Sequence, residues 1–378
     1  MPILPTSWAF GEGRERETFQ HLIDKQNGPR KPLVEPKPDG DQSRNAIATS
    51  GENGAKQTSL FPNRPYTGPV AEYRILGVEE YPAAVELWTD VFRVERGFFT
   101  SLLKGGGDGD NHSFGAFENG AIVSSVHVFM RQIRDRDSTP LKVGGIGSVS
   151  THPDHRKHGH SGRLLQLAIE AMEREGCVWS FLGTGVNDHY ARYGWRTVST
   201  PDLWGTVRSD VSGKATMLTP DDTTLDAMAT LYEAETARRP MATVRSNQVW
   251  RTAVRYRLDP AKGFTLGTFA GDRLTAYLAV ANPWGRWAIV DAAGDESEYP
   301  HLFAAAATQL RSRDVRDVLC LLPEASAGMK AFSTIVEKVH LAESRSEMVR
   351  PIADRLSWPN LFAMYGDPRG RHCHLDAF

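Results

Sequence analysis

The feature that most limits what this chain can fold into is an internal repeat. Gly115, Phe117, Ile122 and Val128 align with Gly267, Phe269, Leu274 and Val280, each pair 152 residues apart with no gap. Both stretches read as β-hairpins. The first, His112 to Met130, turns at Glu118-Asn119-Gly120, and Asn-Gly is the strongest short hairpin signal. What surrounds the hairpins repeats as well. Before the first come a short strand at Ala71-Glu-Tyr-Arg-Ile-Leu and a helix with Val85, Trp88 and Phe92 on one face. After it come a strand near Val143 to Ser150, an amphipathic helix from about His160 to Glu175, the stop Gly176 and the apolar run Cys177-Val-Trp-Ser-Phe-Leu. The second half offers a helix from Asp221 to Arg239, its hairpin, a strand at Trp287 to Ala292, a helix at Tyr299 to Arg313, a strand at Val318 to Leu322 and another helix. Two tandem copies of one α/β unit explain this order most economically.

A length of 378 residues suits two such units. The expected division is a polar, Pro/Gly/Ser-rich leader over 1–69, a first unit over 70–208, a second over 209–353 and a tail over 354–378. Lys plus Arg number 44 against 46 Asp plus Glu, a net charge of −2. That balance argues against a general nucleic-acid binder, which needs a basic surplus to displace counterions. No apolar run approaches the ~20 residues that cross a bilayer, and the first residues do not resemble a secretion signal. A cytoplasmic location is expected. The three cysteines (Cys177, Cys320, Cys373) show no CxxC spacing and read as free thiols.

The copies differ where chemistry would sit. After its third strand the first copy has Thr151-His-Pro-Asp-His-Arg-Lys-His-Gly-His-Ser-Gly-Arg; the second has Gly294-Asp-Glu-Ser-Glu-Tyr-Pro. The first loop is basic and glycine-bearing, the second acidic. A strand, a basic glycine loop and a helix start make an anion seat, because the first helical turn leaves N–H groups unpaired and partly positive. Arg156 and Lys157 add charge, as would His158 and His160 if protonated. Gly159 and Gly162 remove side chains that would hold a phosphate away from those donors.

Here the sequence resembles the GNAT superfamily of acetyl-CoA-dependent N-acetyltransferases. Arg156-x-x-Gly159-x-Ser161 matches its pyrophosphate signature R/Q-x-x-G-x-G/A, with Ser as a mild departure. Tyr190-Ala-Arg-Tyr193-Gly194-Trp195 matches the family's Tyr placed four residues before Gly-Trp. Within the superfamily the likeness is to the enhanced intracellular survival (Eis) proteins, through Val149-x-x-x-Pro153-x-His155-Arg156-Lys157-x-Gly159. Only 26 residues follow Ile352, so the resemblance is to a relative without their sterol-carrier-like third domain.

The resemblance implies a tandem GNAT fold of the α/β (α+β) class with a degenerate second copy. It implies acetyl-CoA as cosubstrate, no metal, and an amine acceptor on a small molecule or a lysine. A homo-oligomer is possible on the same ground. Backbone groups of Ser148, Val149, Ser150 and Thr151 would bind the pantetheine arm and thioester carbonyl, and the loop Arg156, Lys157, His158, Gly159, His160, Ser161 and Gly162 the diphosphate. Tyr190 would be the acid for the departing thiolate, and the carboxylate of the last residue, Phe378, would act at the catalytic centre. Asp90 and His127 are further candidate bases, Tyr193 a structural residue, and Trp88 a wall of the acceptor pocket. The alternatives are transfer to another acceptor, as in mycothiol synthases, and a non-catalytic acyl-CoA-binding module. His372-Cys373-His374 is too sparse for a zinc site, and the Gly-rich segment from Lys104 with Asp108 and Asp110 reads as a pocket rim.

Overall fold

The computed structural model describes residues 71–104 and 111–376. The expected leader over 1–69, the rim carboxylates Asp108 and Asp110, and Phe378 lie outside the described residues.

The first half runs β1 (Glu72–Ile75), α1 (Tyr81–Phe92), α2 (Arg96–Lys104), β2 (His112–Glu118), β3 (Ala121–Arg134), β4 (Pro140–Thr151), α3 (His160–Arg174), β5 (Trp179–Gly183), α4 (Asn187–Ala191) and β6 (Arg196–Val207). The second runs β7 (Thr216–Met217), α5 (Asp222–Thr236), β8 (Thr243–Val244), β9 (Gly263–Ala270), β10 (Arg273–Ala281), β11 (Ala288–Gly294), α6 (Tyr299–Arg311), β12 (Asp317–Cys320), α7 (Ala327–Ile335) and β13 (Val336–Pro351), and α8 (Trp358–Tyr365) follows. Local chemistry accounts for these boundaries. The Asp221 carboxylate caps α5 by accepting from the Thr224 N–H at 2.8 Å, and Pro82 occupies the first turn of α1. Helix α3 buries Leu164, Leu165, Ala168, Ala171 and Met172 while Glu170, Glu173 and Arg174 face solvent.

The repeat is reproduced residue for residue in the hairpins. Gly115 pairs with Ser125 and Gly267 with Tyr277; Glu118 pairs with Ala121 and Ala270 with Arg273. Each hairpin also carries a bulge that leaves one residue out of the pairing. It is Val123 in the first and Thr275 in the second, again 152 apart.

One sheet joins the copies in the order β1-β2-β3-β4-β5-β13-β6-β12-β11-β10-β9-β7. The copies exchange their last strands. β6, which ends the first copy, pairs with β12 of the second; β13, which ends the second, lies between β5 and β6 through Met348↔Leu182 and Met348↔Thr197. Separate apolar clusters fill the faces. α3 packs with Val126, Val128, Ile146 and Leu182 on one face of the first copy, and α1 and α2 pack with Phe117 and Phe129 on the other.

Candidate active site

The site is set by a defect in β4. Between the pairs Ser125↔Ser150 and His127↔Gly147, β4 carries two residues, Ser148 and Val149, opposite the single residue Val126. Ser148 takes φ 50°, a left-handed conformation that an L-residue holds only where its surroundings impose it. The parallel pairing of β4 with β5 covers Val143 to Ile146 against Trp179 to Leu182 and stops there. Past that point, Gly147 to Thr151 have no pairing toward β5 among the described residues, so their backbone lines a gap between two parallel strands.

The basic loop opens at the end of that gap. Lys157 (φ 69°) and Gly159 (φ 84°) are both left-handed. The first helical hydrogen bond of α3 runs from Arg163 N–H to Gly159 O at 3.1 Å, so the N–H groups of His160, Ser161 and Gly162 precede it. Lys157, His158 and Gly159 are exposed.

One expectation for this loop is corrected, and two of its residues make further contacts. His160 does not supply charge to the loop surface. It is buried, with Tyr73 Oη at 2.9 Å from Nδ1 and Glu118 Oε1 at 3.0 Å from Nε2, and burial lowers its pKa. Gly162 also makes room for the next motif, because a Cβ there would collide with the Tyr193 hydroxyl. Arg156 turns back, its Nε donating to Thr151 O at 3.2 Å. That carbonyl is thereby engaged, as is Ser150 O, which accepts from Ser124 Oγ at 2.7 Å.

Tyr190, on α4 directly after β5, is buried against Leu182, Trp195 and Met348. Burial raises its pKa well above the ordinary phenol value, so at neutral pH the hydroxyl keeps its proton. Tyr193 is fixed by its contact with Gly162, which couples the Tyr motif to the start of α3.

Two candidate bases lose their case. Asp90 is exposed on the outer face of α1. His127 is buried with Ser113 Oγ at 2.6 Å from Nδ1. Burial, then the nearby Arg131 charge, pulls its pKa down to about 3, which makes it a poor proton acceptor at neutral pH. Trp88 is not a pocket wall: it is 1% exposed, its Nε1 donating to Ser125 Oγ.

A cavity of about 440 Å³ lies beside the end of β5, lined by Phe181, Leu182 and Gly183 together with Asp202, Glu347 and Arg371. Arg371 is held by Asp202 at 2.5 Å, and the Glu347 carboxyl shares that lining. Burial raises the Glu347 pKa to about 7, with Arg371 opposing. Sequence reasoning missed Glu347 because only strand exchange brings β13 beside β5, at Glu347↔Gly183.

A pH signature follows. A carboxyl raised above its unfolded value of about 4.3 binds its proton more tightly when folded, so its stabilising effect is complete below that value and is lost as pH rises through about 7. Glu347→Gln is therefore expected to raise the melting temperature at pH 8 relative to wild type and to change it little at pH 4. Melting curves at the two pH values check this.

Part of the end of the tail is interior. Cys373, Leu375 and Asp376 are buried, and the His372 ring meets Phe181 of β5 at 4.8 Å between centroids. Cys373 Sγ lies 3.3 Å from Val290 O, and burial takes its thiol up to about 12, so it is not a ready metal ligand. Asp376 Oδ1 accepts from Arg245 Nε at 2.6 Å, and Arg245 Nη1 reaches Asp291 at 3.0 Å. Burial would push the Asp376 pKa up, but the Arg245 charge and hydrogen bond outweigh it and hold it below the usual range.

Residues 72–198 match the family described as acetyltransferase (GNAT) domain. They form a GNAT acetyltransferase domain. Solved structures with a similar fold include a probable N-acyltransferase from Enterococcus faecalis V583, at 15% identity over 75% of this chain and 73% of that one, with a TM-score of 0.57. A GCN5-related N-acetyltransferase from Anabaena variabilis is similar at 14% identity over 75% and 73%, with a TM-score of 0.58. Eis1 from Mycobacterium abscessus is similar at 14% over 75% and 74%, with a TM-score of 0.49. A search of the curated proteins found no match. Within the GNAT domain lie the β4 bulge, the basic loop and Tyr190. The cavity draws Asp202, Glu347 and Arg371 from outside it.

In the second copy the matching loop cannot seat an anion in the same way. Asp295 Oδ1 accepts from Ser297 N–H at 2.9 Å, and Glu296 and Glu298 stand before α6. That loop thus carries acidic side chains where the first copy's loop is basic.

Proposed function

We propose that this protein is an acetyl-CoA-dependent N-acetyltransferase that transfers acetyl by direct attack of a primary amine of a small molecule or a lysine. The observation that carries this reading is the juxtaposition of the bulged, unpaired end of β4 with the basic helix start at Gly159. The N–H groups of His160, Ser161 and Gly162, with Lys157 and His158, would hold the diphosphate. Backbone groups of Ser148 and Val149 would hold the pantetheine arm in the gap; Ser150 and Thr151 have less to offer, since their carbonyls are engaged.

A lysine-type amine is protonated at neutral pH and must lose its proton before attacking the thioester carbonyl. The carboxylate of Phe378 and the Glu347 carboxyl are the groups assigned to take it. The amine nitrogen forms the new C–N bond, the tetrahedral adduct collapses, and the C–S bond breaks. Tyr190 donates a hydrogen bond to the departing thiolate. Its raised pKa makes full proton transfer uphill, so its contribution is stabilisation of that charge while solvent or the released amine proton neutralises it.

The test is incubation with acetyl-CoA and a panel of polyamines, aminoglycosides and lysine peptides, with free thiol as the readout. Amine-dependent thiol release is expected; tight coenzyme binding without release by any amine would leave only a binding module. Gly159→Val is expected to weaken coenzyme affinity about tenfold or more, because a β-branched residue at φ 84° is strained by more than 1 kcal/mol and the N–H groups re-aim. Calorimetric titration with coenzyme A measures it, and unchanged affinity would place the diphosphate elsewhere.

A further inference from the structure

The base of the coenzyme loop contains a grouping of side chains of which the acetyl-transfer reading uses only His158, beside the diphosphate. Glu118, at the end of β2, and His158 and His160, at the start of α3, bring one donor atom each to within 4.8 Å of one another. Glu118 and His160 are buried and His158 is exposed. A third imidazole stands behind them, with His155 Nδ1 at 2.8 Å from Glu118 Oε2. The phenol of Tyr73 lies 2.9 Å from His160 Nδ1.

Neutral imidazoles and a carboxylate are the donor set of first-row divalent ions, zinc above all. The spacing suits such an ion. A tetrahedral centre with bonds of about 2.0–2.1 Å separates neighbouring donors by about 3.3 Å, and His160 Nε2 stands 3.0 Å from Glu118 Oε1. The outer contacts suit it too. In the tautomer that donates its Nδ1 proton to Tyr73 Oη, His160 would turn the Nε2 lone pair toward the centre, and His155 lies against the second Glu118 oxygen.

We propose that Glu118 Oε1, His160 Nε2 and a ring nitrogen of His158 form a zinc-type divalent metal site, with water as a fourth ligand and Tyr73 and His155 as outer-shell supports. The ion would tie the β2–β3 hairpin to the loop that opens α3. The proposal is independent of the acyl acceptor and departs from the expectation of a metal-free protein. Sequence spacing did not show it because Glu118 lies 40 residues before His158.

The experiment is titration of the full-length, chelator-treated protein with zinc chloride, followed by calorimetry, and separately with cobalt chloride, followed by visible absorption. One equivalent of zinc is expected to bind, and cobalt is expected to give the intense visible bands of a four-coordinate ion. His158→Ala, at an exposed position, is expected to leave the melting temperature of the metal-free protein unchanged and to lower zinc affinity tenfold or more. Glu118→Gln should also lower zinc affinity tenfold or more, while His340→Ala, at an exposed histidine elsewhere, should leave it unchanged. Zinc affinity in His158→Ala equal to wild type would overturn the proposal, as would absence of a stoichiometric binding event.

Discussion

Tyr190→Phe is expected to lower kcat at least tenfold while leaving the dissociation constant for acetyl-CoA within about twofold. The change removes one oxygen from a ring held among Leu182, Trp195 and Met348, so the packing survives. The hydrogen bond lost is one made to a developing thiolate, and a donor of that kind in a water-poor site is worth about 2.7–4 kcal/mol of transition-state stabilisation. Ground-state binding rests on the loop and β4, which the substitution does not touch. A steady-state assay paired with calorimetry separates the two terms. An unchanged kcat would remove Tyr190 from the chemistry; a parallel loss of coenzyme binding would give it a packing role instead.

Arg245→Met is expected to destabilise the protein by about 3–5 kcal/mol in denaturant unfolding, since it leaves Asp376 and Asp291 buried and without their cation. The guanidinium is fully buried and lies 3.7 Å from the Tyr232 ring centre, so no solvent compensates its removal. The effect should extend to activity. Asp376 stands two residues from Phe378, and an unanchored tail could no longer hold the terminal carboxylate at the site proposed for it. Deleting Phe378 alone tests that second role with the anchor intact. Loss of turnover without loss of stability is the expected result, and wild-type turnover would assign the amine proton to Glu347.

Much of this molecule was legible from local patterns. The hairpins followed from Asn119-Gly120 and its counterpart Gly271-Asp272, and their register and bulges agree at the same 152-residue spacing. The α3 face and its glycine-bearing start needed only helical periodicity and the absence of a side chain at Gly159. Within the loop, however, chemistry-bearing residue types gave no direction. Histidines at 158 and 160 read alike in sequence, yet one is exposed and the other buried against Glu118.

The sequence by itself determined the elements, their repetition and the basic glycine loop at the start of α3, because turn chemistry and periodicity act over a few residues. The tertiary structure alone decided which distant groups meet. Strand exchange puts Glu347 opposite Gly183, the tail carries Asp376 to Arg245, and the hairpin end sets Glu118 against His160. Each of these contacts joins segments whose separation along the chain carries no preference of its own. They form because burying the two sheet faces brings those segments together, and polar groups buried there must find partners in one another.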